Sequence, residues 1–497
     1  MATFPQTNEA NQPPPLAGHD LFAQNRPLAE WVSGEAAERC SRFGRALGGD
    51  PLEWARLANE SPPKLRRDDE VEFHPAWHRL MRLSRAHLAH GERSQVARAA
   101  LFYLAAQVEA GHTCPMSMTH AAIPLVPEWE EGLRDPGWEP ELKPLAEKRA
   151  LSFGMAMTER QGGSDVRANT TTATRAGDDW TIDGAKWFCS APMSDAFLVL
   201  AQAPAGLSCF LLPRVLPDGT RNGFHIERLK DKLGDRSNAS SEVEFRGARA
   251  TLVGEVGRGV RTIVQMGVLT RLDCVLGTAA QMRAAVEQAT HHAAHRAAFG
   301  KLLVDQPLME NVLADLCVES EAATVTALRL ARAYEDGETA FARIATPVAK
   351  YWVCKRGPAH AAEALECLGG NGYIEESSLP RIYRQQPLAS IWEGSGNVQC
   401  LDVLRAIERE PESVEAFLAE LESPFRSMAE TALAEADEAG ARRLVERLAV
   451  ALQGSLLLRH APAPVADAFA GRAGGYGTLP VGVDCRFIVD RHRPITD

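Results

Sequence analysis

The stretch AMTERQGGSDVRA, residues 156–168, decides how this chain is read. Thr158 and Ser164 offer hydroxyls on either side of Gly162-Gly163, where the missing Cβ atoms let backbone N–H groups approach a ligand closely. Such a loop, leading into strands, suits an anionic or heteroaromatic ligand. The same residues also suit a Gly-rich turn whose hydroxyls are satisfied internally.

Working outward, the texture changes at about residue 151. NTTTATRAGDDWTIDGAKWFCS (169–190), AFLVLAQA (196–203), LSCFLLPR (207–214), GFHIERL (223–229) and SEVEFRG (241–247) are short and rich in β-branched and aromatic residues. Turn dipeptides bound them, and Asp183-Gly184 predicts a hairpin. Before this β module the pattern is helical from Leu28 to about Ala122; SQVARAALFYLAAQVEAG (94–111) has apolar residues at helical spacing and ends at Gly111. A Pro- and Trp-rich connector follows at 124–144. After GEVGRGV (254–260) the helical period returns, and residues 261–299 predict two helices, being too long for one without caps. Residues 411–460 form a further amphipathic block, followed by an Ala/Pro/Gly-rich linker and a short apolar tail. Strands do not alternate with helices, which argues against a doubly wound parallel sheet. The expected fold is α+β and mostly α. It comprises a flexible arm (1–24), an N-terminal helical domain (25–150), a central antiparallel β-barrel-like domain (151–253), a helical bundle (254–407) and an appended helical domain (408–497).

Composition sets outer bounds. At 497 residues the chain exceeds one core, and 45% hydrophobic with 24% charged residues is globular. A net charge of −11 argues against a general nucleic-acid coat, since phosphate binding is electrostatic first. Ten cysteines are scattered singly from Cys40 to Cys485 without a CxxC pair, which suits a reducing cytoplasm and no structural zinc. The polar, Pro-rich start lacks a signal peptide's apolar run, and no apolar stretch is long enough to suggest a bilayer span. His291 and His295 stand at i and i+4 but lack a third ligand, so no metal is expected. FHPAWH (73–78) repeats that spacing around Pro75 and reads as a packed loop. GEVGRGV lacks the Lys-Ser/Thr of a phosphate loop and reads as a domain junction. No G-x-S-x-G elbow supports a hydrolase.

The 156–168 stretch resembles the first signature of the acyl-CoA dehydrogenase flavoproteins, and ECLGGNGYIEESSLPRIYRQ (366–385) resembles the second. Gln385 departs from an acidic position there, which weakens an ion pair. KWFCS (186–190) is similar to the family strand along the flavin, with Cys189 or Ser190 supplying the group at the N5 edge. HRAAFGKLLVDQP (295–307) is similar to the family's Arg-x-x-Phe-Gly element, with Gln306 one residue early. The resemblance implies FAD as cofactor and a homodimer or homotetramer. In that family Arg296, Phe299, Gly369 and Gly370 reach the FAD of a neighbouring subunit. Met157, Thr158, Gly163, Ser164, Trp187, Phe188, Cys189, Ser190, Ser395 and Asn397 line the cofactor within one chain.

IWEGSGN (391–397) is similar to the family's Ile-Tyr-Glu-Gly-Thr, which makes Glu393 the catalytic base. A thioester α-proton is only weakly acidic, so its base must be desolvated until its pKa rises toward the working pH. Thr270 stands beside Arg271, where some relatives place their base, and leaves Glu393 without a rival. The bland alternative for Glu393 is a capping carboxylate in a loop.

Runs such as NQPPPLAGHDLF, FHPAWHRLM and RLKDKLGDRSNASSEVEF narrow the resemblance to the alkylation-response, AidB-type branch. That branch implies duplex-DNA binding, protection against alkylation damage and an appended C-terminal domain. Residues 441–497 hold eight Arg against five acids, and Arg442, Arg443, Arg447, Arg486, Arg491 and Arg493 are the candidate phosphate contacts. The alternatives are a metabolic acyl-CoA dehydrogenase acting on an acyl-CoA, and an interaction protein in which FAD is a structural prop.

Overall fold

A computed structural model describes residues 11–495. Its helices of eight or more residues are α1 (Gly34–Leu47), α2 (Pro51–Glu60), α3 (Pro75–Ala86), α4 (Gln95–Val108) and α5 (Thr113–Ala122), followed by α6 (Gly259–His295), α7 (Pro307–Glu335), α8 (Thr339–Glu366), α9 (Leu379–Ala389) and α10 (Gly396–Arg409). The appended domain adds α11 (Pro411–Ala419), α12 (Phe425–Ala434), α13 (Ala441–His460), α14 (Ala463–Ala470) and α15 (Cys485–His492). Between α5 and α6 lie seven strands: β1 (Phe153–Ala156), β2 (Thr172–Ala176), β3 (Asp179–Ser190), β4 (Ala196–Ala203), β5 (Gly206–Pro213), β6 (Phe224–Leu229) and β7 (Ser240–Val253).

The strands form one sheet in the order β1-β4-β2-β3-β7-β5, with β6 on β7. Because β4 also pairs β5, the sheet wraps toward a barrel, but β2 meets β4 at the single pair Thr172–Gln202. Most pairings are antiparallel as expected; β1–β4 and β2–β4 are parallel. The hairpin expected at Asp183-Gly184 is not there. The turn falls at Gly177-Asp178, while Gly184 sits inside β3 at a register shift with φ +144°. A Cβ on Gly184 would come within 2.7 Å of Thr171, so the glycine serves a close backbone approach, a use the dipeptide does not reveal.

Residues 261–299 do not divide into two helices. α6 is one helix of 37 residues, and it survives without a side-chain cap because α4, α5, α7, α8 and α9 cover it. It is also long and apolar enough by composition to cross a membrane, contrary to the sequence reading; 61% of its most apolar window is buried inside the protein, as in a bundle core. FHPAWH likewise is no loop: Pro75 takes the first position of α3, with His74 capping it by accepting from the Ala76 N–H.

Polar groups on α6 tie the chain together. Asp273 forms a buried two-pronged pair with Arg98 of α4, one prong at 2.8 Å. Gln281 donates to the Ala106 carbonyl, and Tyr103 donates to the Ala279 carbonyl at 3.2 Å. Arg283 donates to the carbonyls of His492 and Gln24, joining the two chain ends to the central helix. The arm expected to be flexible is therefore packed over residues 11–24, with Leu16, His19, Leu21 and Phe22 buried, while residues 1–10 lie outside the described residues. The linker and tail expected after residue 460 fold as α14 and α15, and α15 packs on α7. One apolar cluster runs from Leu21 to Val489.

Removing one partner of a buried pair leaves an uncompensated charge, so Asp273→Ala is expected to cost about 3–5 kcal/mol. Chemical denaturation should show most of that loss recovered in the Arg98→Met/Asp273→Leu double variant. Equal losses in both would refute the assignment.

Candidate active site

The segment 391–397 links α9 to α10, and its turn is built to hold one carboxylate. Glu393 has φ +58°, in the left-handed region where a Cβ costs roughly 1–2 kcal/mol, and Gly394 follows at +98°. Side chains hold this backbone from three directions. Lys350 Nζ donates to the carbonyls of Trp392 (2.8 Å) and Gly394 (2.6 Å). Arg271 Nε donates to the Glu393 carbonyl at 3.1 Å and reaches Asp402 at 2.8 Å through its Nη1. Gln399 Nε2 donates to the carbonyls of Glu393 and Gly394. The clamp restrains the main chain and leaves the carboxylate unengaged by these three side chains.

That carboxylate receives one hydrogen bond, from Thr270 Oγ1 to Oε2 at 2.5 Å, and Oε1 has no hydrogen-bond partner among the described residues. Burial raises its pKa above the ordinary carboxylate range, against the downward pull of Thr270, Lys350 and Arg271. Trp392 packs against an apolar cluster that includes Ile263 and Met266, and Met157 and Leu269 pack on the same cluster. The Trp392 indole N–H is buried without an acceptor. A capping role is ruled out by geometry: Ser395, not Glu393, stands at the N-cap of α10.

Across the cluster, the loop 157–169 is fastened to the sheet by Glu159, a residue the sequence reading passed over. Its carboxylate takes a hydrogen bond from Lys186 Nζ at 2.8 Å and others from the N–H groups of Thr170 and Thr171. Burial opposes its charge, but these donors win and hold the carboxyl down to about 2. Lys186 also donates to the Leu200 carbonyl, and Asn169 to the Met157 carbonyl. Gly163 and Ser164 stay exposed, and a Cβ on Gly163 would come within 2.5 Å of Thr158 Oγ1. The glycine thus keeps the loop pressed over Thr158.

β3 settles one open choice and corrects a site assignment. Cys189 is fully buried and burial pushes its thiol up to about 12, so it points into the sheet's core and not at a ligand. Phe188 is exposed and Ser190 half-buried; the Ser190 hydroxyl lies 3.4 Å from that of Ser240. Trp187 is half-buried beneath three cations, with Lys230 Nζ 3.4 Å from the ring centroid and Arg160 and Arg228 beyond it.

The remaining candidates gather on another face. Arg296 donates to the Asn11 carbonyl, and Asn371, next to Gly370, donates to Gln12. Phe299, at φ +52°, is the wholly exposed tip of a hairpin closed by Ala297–Leu302 and braced by Gln306, which donates to the Ala298 carbonyl. Gly369 and Gly370 are exposed as well. Gln385, expected only to weaken an ion pair, accepts from the Asp235 N–H at 2.7 Å and docks the 232–238 loop on α9. His291 and His295 spend one ring nitrogen each on the carbonyls of Pro14 and His291.

Five of the six arginines expected to contact DNA pair with carboxylates of the chain. Arg491 is buried between Glu30 and Glu321; Arg486 pairs with Asp305 and Asp490, Arg493 with Asp490, and Arg443 and Arg447 with Glu435. Only Arg491 is buried; the other four keep 32–66% of the side chain exposed beside their acidic partners. Arg442 alone of the six makes no salt bridge among the described residues, and it donates to Asn397.

Comparison with known proteins gives three matching family models. Residues 11–144 match the adaptive response protein AidB N-terminal domain, 154–248 the acyl-CoA dehydrogenase middle domain, and 257–408 its C-terminal domain. The chain is 45% identical to "Putative acyl-CoA dehydrogenase AidB" of Escherichia coli K12, over 92% of this chain and 93% of that one. It is 30% identical to acyl-CoA dehydrogenase family member 11 of Caenorhabditis elegans, over 79% of this chain and 69% of that one. Among solved structures, Bd2924 in its apo form aligns with a TM-score of 0.83 at 27% identity, over 90% of this chain and 99% of that one. Caenorhabditis elegans ACDH-11 in complex with C11-CoA also scores 0.83, at 24% identity, over 100% of this chain and 95% of that one.

Proposed function

The chain belongs to the acyl-CoA dehydrogenase family, in its AidB-type branch, and from that premise we propose that it is an FAD flavoprotein in which Glu393 takes an α-proton from an acyl-CoA thioester. The observation that carries this reading is Glu393 itself: a carboxylate clamped at positive φ, raised in pKa by burial, with Oε1 unengaged. Strain and desolvation of that kind collect where a group has chemistry to do. The residues present suit a flavin: the loop of Met157, Thr158, Gly163 and Ser164, the outward Phe188 and Ser190, and Ser395 and Asn397 beside the base. FAD, once bound, supplies the hydride acceptor for Cβ. Lys350, Arg271 and Gln399 hold the base in position, and the neighbouring Trp392 packs on the same apolar cluster as Met157, Met266 and Leu269. The C11-CoA bound in the Caenorhabditis elegans structure supports a fatty thioester as the ligand class.

Anaerobic titration with acyl-CoAs of several lengths should bleach the flavin; no bleaching with any thioester overturns the proposal. Glu393→Gln should slow bleaching about 10²–10⁴-fold, the usual weight of a general base. The Thr270 hydrogen bond lowers the Glu393 pKa, so Thr270→Val should move the acidic limb of the bleaching rate to higher pH. An unmoved limb would assign the proton to another group.

The assembly is part of the proposal. Phe299, Leu308 and Tyr373 are exposed at 100%, 84% and 79%, apolar surface of the kind a neighbouring subunit covers. Phe299→Asp is expected to yield a smaller species in light scattering and to weaken FAD uptake. A wild-type monomer that holds FAD would refute the shared site.

A second reading, a duplex-binding role in the response to alkylating agents, is favoured by the match of residues 11–144 to the adaptive-response domain. Anisotropy with a labelled duplex should show affinity falling steeply between about 50 and 200 mM salt. Absence of binding at the lower salt overturns it.

A further inference from the structure

Arg442 opens α13 in the appended domain, and its Nε donates to Asn397 Oδ1 at 2.8 Å, across to the first turn of α10. Its Nη2 lies 3.9 Å from where a Cβ on Gly396 would stand, so the guanidinium rests against that turn, with the Tyr351 ring 3.4 Å from the same point. A guanidinium can only donate, so Asn397 must offer it the carbonyl oxygen. The amide Nδ2, which can only donate, is thereby turned away from Arg442 and has no hydrogen-bond partner among the described residues. The first turn of α10 holds no acidic side chain, and the Ser395 hydroxyl caps nothing. The segment 395–397 therefore presents donors without a competing acceptor carboxylate.

We infer that Arg442 is a positioning residue of the cofactor site: it fixes Asn397 so that this segment offers donors to the anionic pyrophosphate side of FAD, and the appended domain is thereby a latch on the cofactor. This rests on the flavin reading proposed above. It gives a use to the one arginine that the internal ion pairs of α13 and α15 leave over.

FAD affinity of the apoprotein, read by quenching of flavin fluorescence, tests it. Arg442→Met should weaken FAD about tenfold, the weight of one hydrogen bond to a charged group, while the apoprotein's unfolding midpoint stays put. Arg442→Lys should restore part of the affinity. Asn397→Asp keeps an acceptor for Arg442 but replaces the free donor with an acceptor, and should weaken FAD at least as much as Arg442→Met. Wild-type affinity in both Arg442→Met and Asn397→Asp overturns the inference while leaving the flavin reading intact. A fallen apoprotein midpoint in Arg442→Met with FAD affinity retained in Asn397→Asp overturns it too, because Arg442 would then merely hold the domain interface. A wild-type protein that takes up no FAD overturns both.

Discussion

A helix with almost no free face sets the terms for this protein. α6 is covered by five other helices, so each of its buried polar side chains must find a partner, within the helix or on another element, or stay unpaired at a cost of about 1–3 kcal/mol. Asp273 finds Arg98 of the N-terminal domain, Gln281 finds a carbonyl of α4, and Arg283 finds both chain ends. Two residues of the same helix, Thr270 and Arg271, turn instead to the 391–397 segment. Domain docking and placement of Glu393 are thus two uses of one buried surface.

At Glu393 two unfavourable terms coincide. Positive φ opposes its Cβ, and burial opposes its charge. Neither persists unless the surroundings over-determine the geometry, and here the carbonyls of 392–394 receive hydrogen bonds from Lys350, Arg271 and Gln399. The clamp acts on main-chain atoms, so the carboxylate can gain or lose a proton without releasing the loop. Glu159 is the converse case. Its charge is stabilised by donors on every side, and it serves to fasten a loop.

The appended domain shows how little a local charge count reveals about a surface. Eight arginines against five acids in residues 441–497 leave a formal excess, but several partnering carboxylates lie outside that range. Asp315 and Glu319 of α7 hold Arg472, Glu30 and Glu321 hold Arg491, and Glu420 holds Arg459. Tyr476 donates to Glu319 at 2.5 Å within the same cluster, and Arg356 of α8 pairs with that carboxylate. Arg459, Arg472 and Arg491, which read along the chain as part of a basic tail, face carboxylates of other elements.

Much was legible without coordinates: the succession of helices, β module and helices, the flavin-type loop at 156–168, and Glu393 as the residue to watch. These signals are local, carried by side-chain period, by glycines whose backbone freedom has few uses, and by spacing within one segment. Other features depend on residues far apart in the chain. Gly184 looks like a turn until Thr171 is seen against it, Cys189 and Ser190 are interchangeable until a register shift in β3 buries one and turns the other outward, and the length of α6 exceeds what its own ends support. The sequence by itself determined the order of helices, β module and helices, and it singled out Glu393. Only the tertiary structure decided that the carboxylate is strained and raised in pKa, that Glu159 anchors the loop, and that Arg442 reaches Asn397. Burial and pairing across hundreds of residues are properties of the packed chain, and no window of sequence contains both partners.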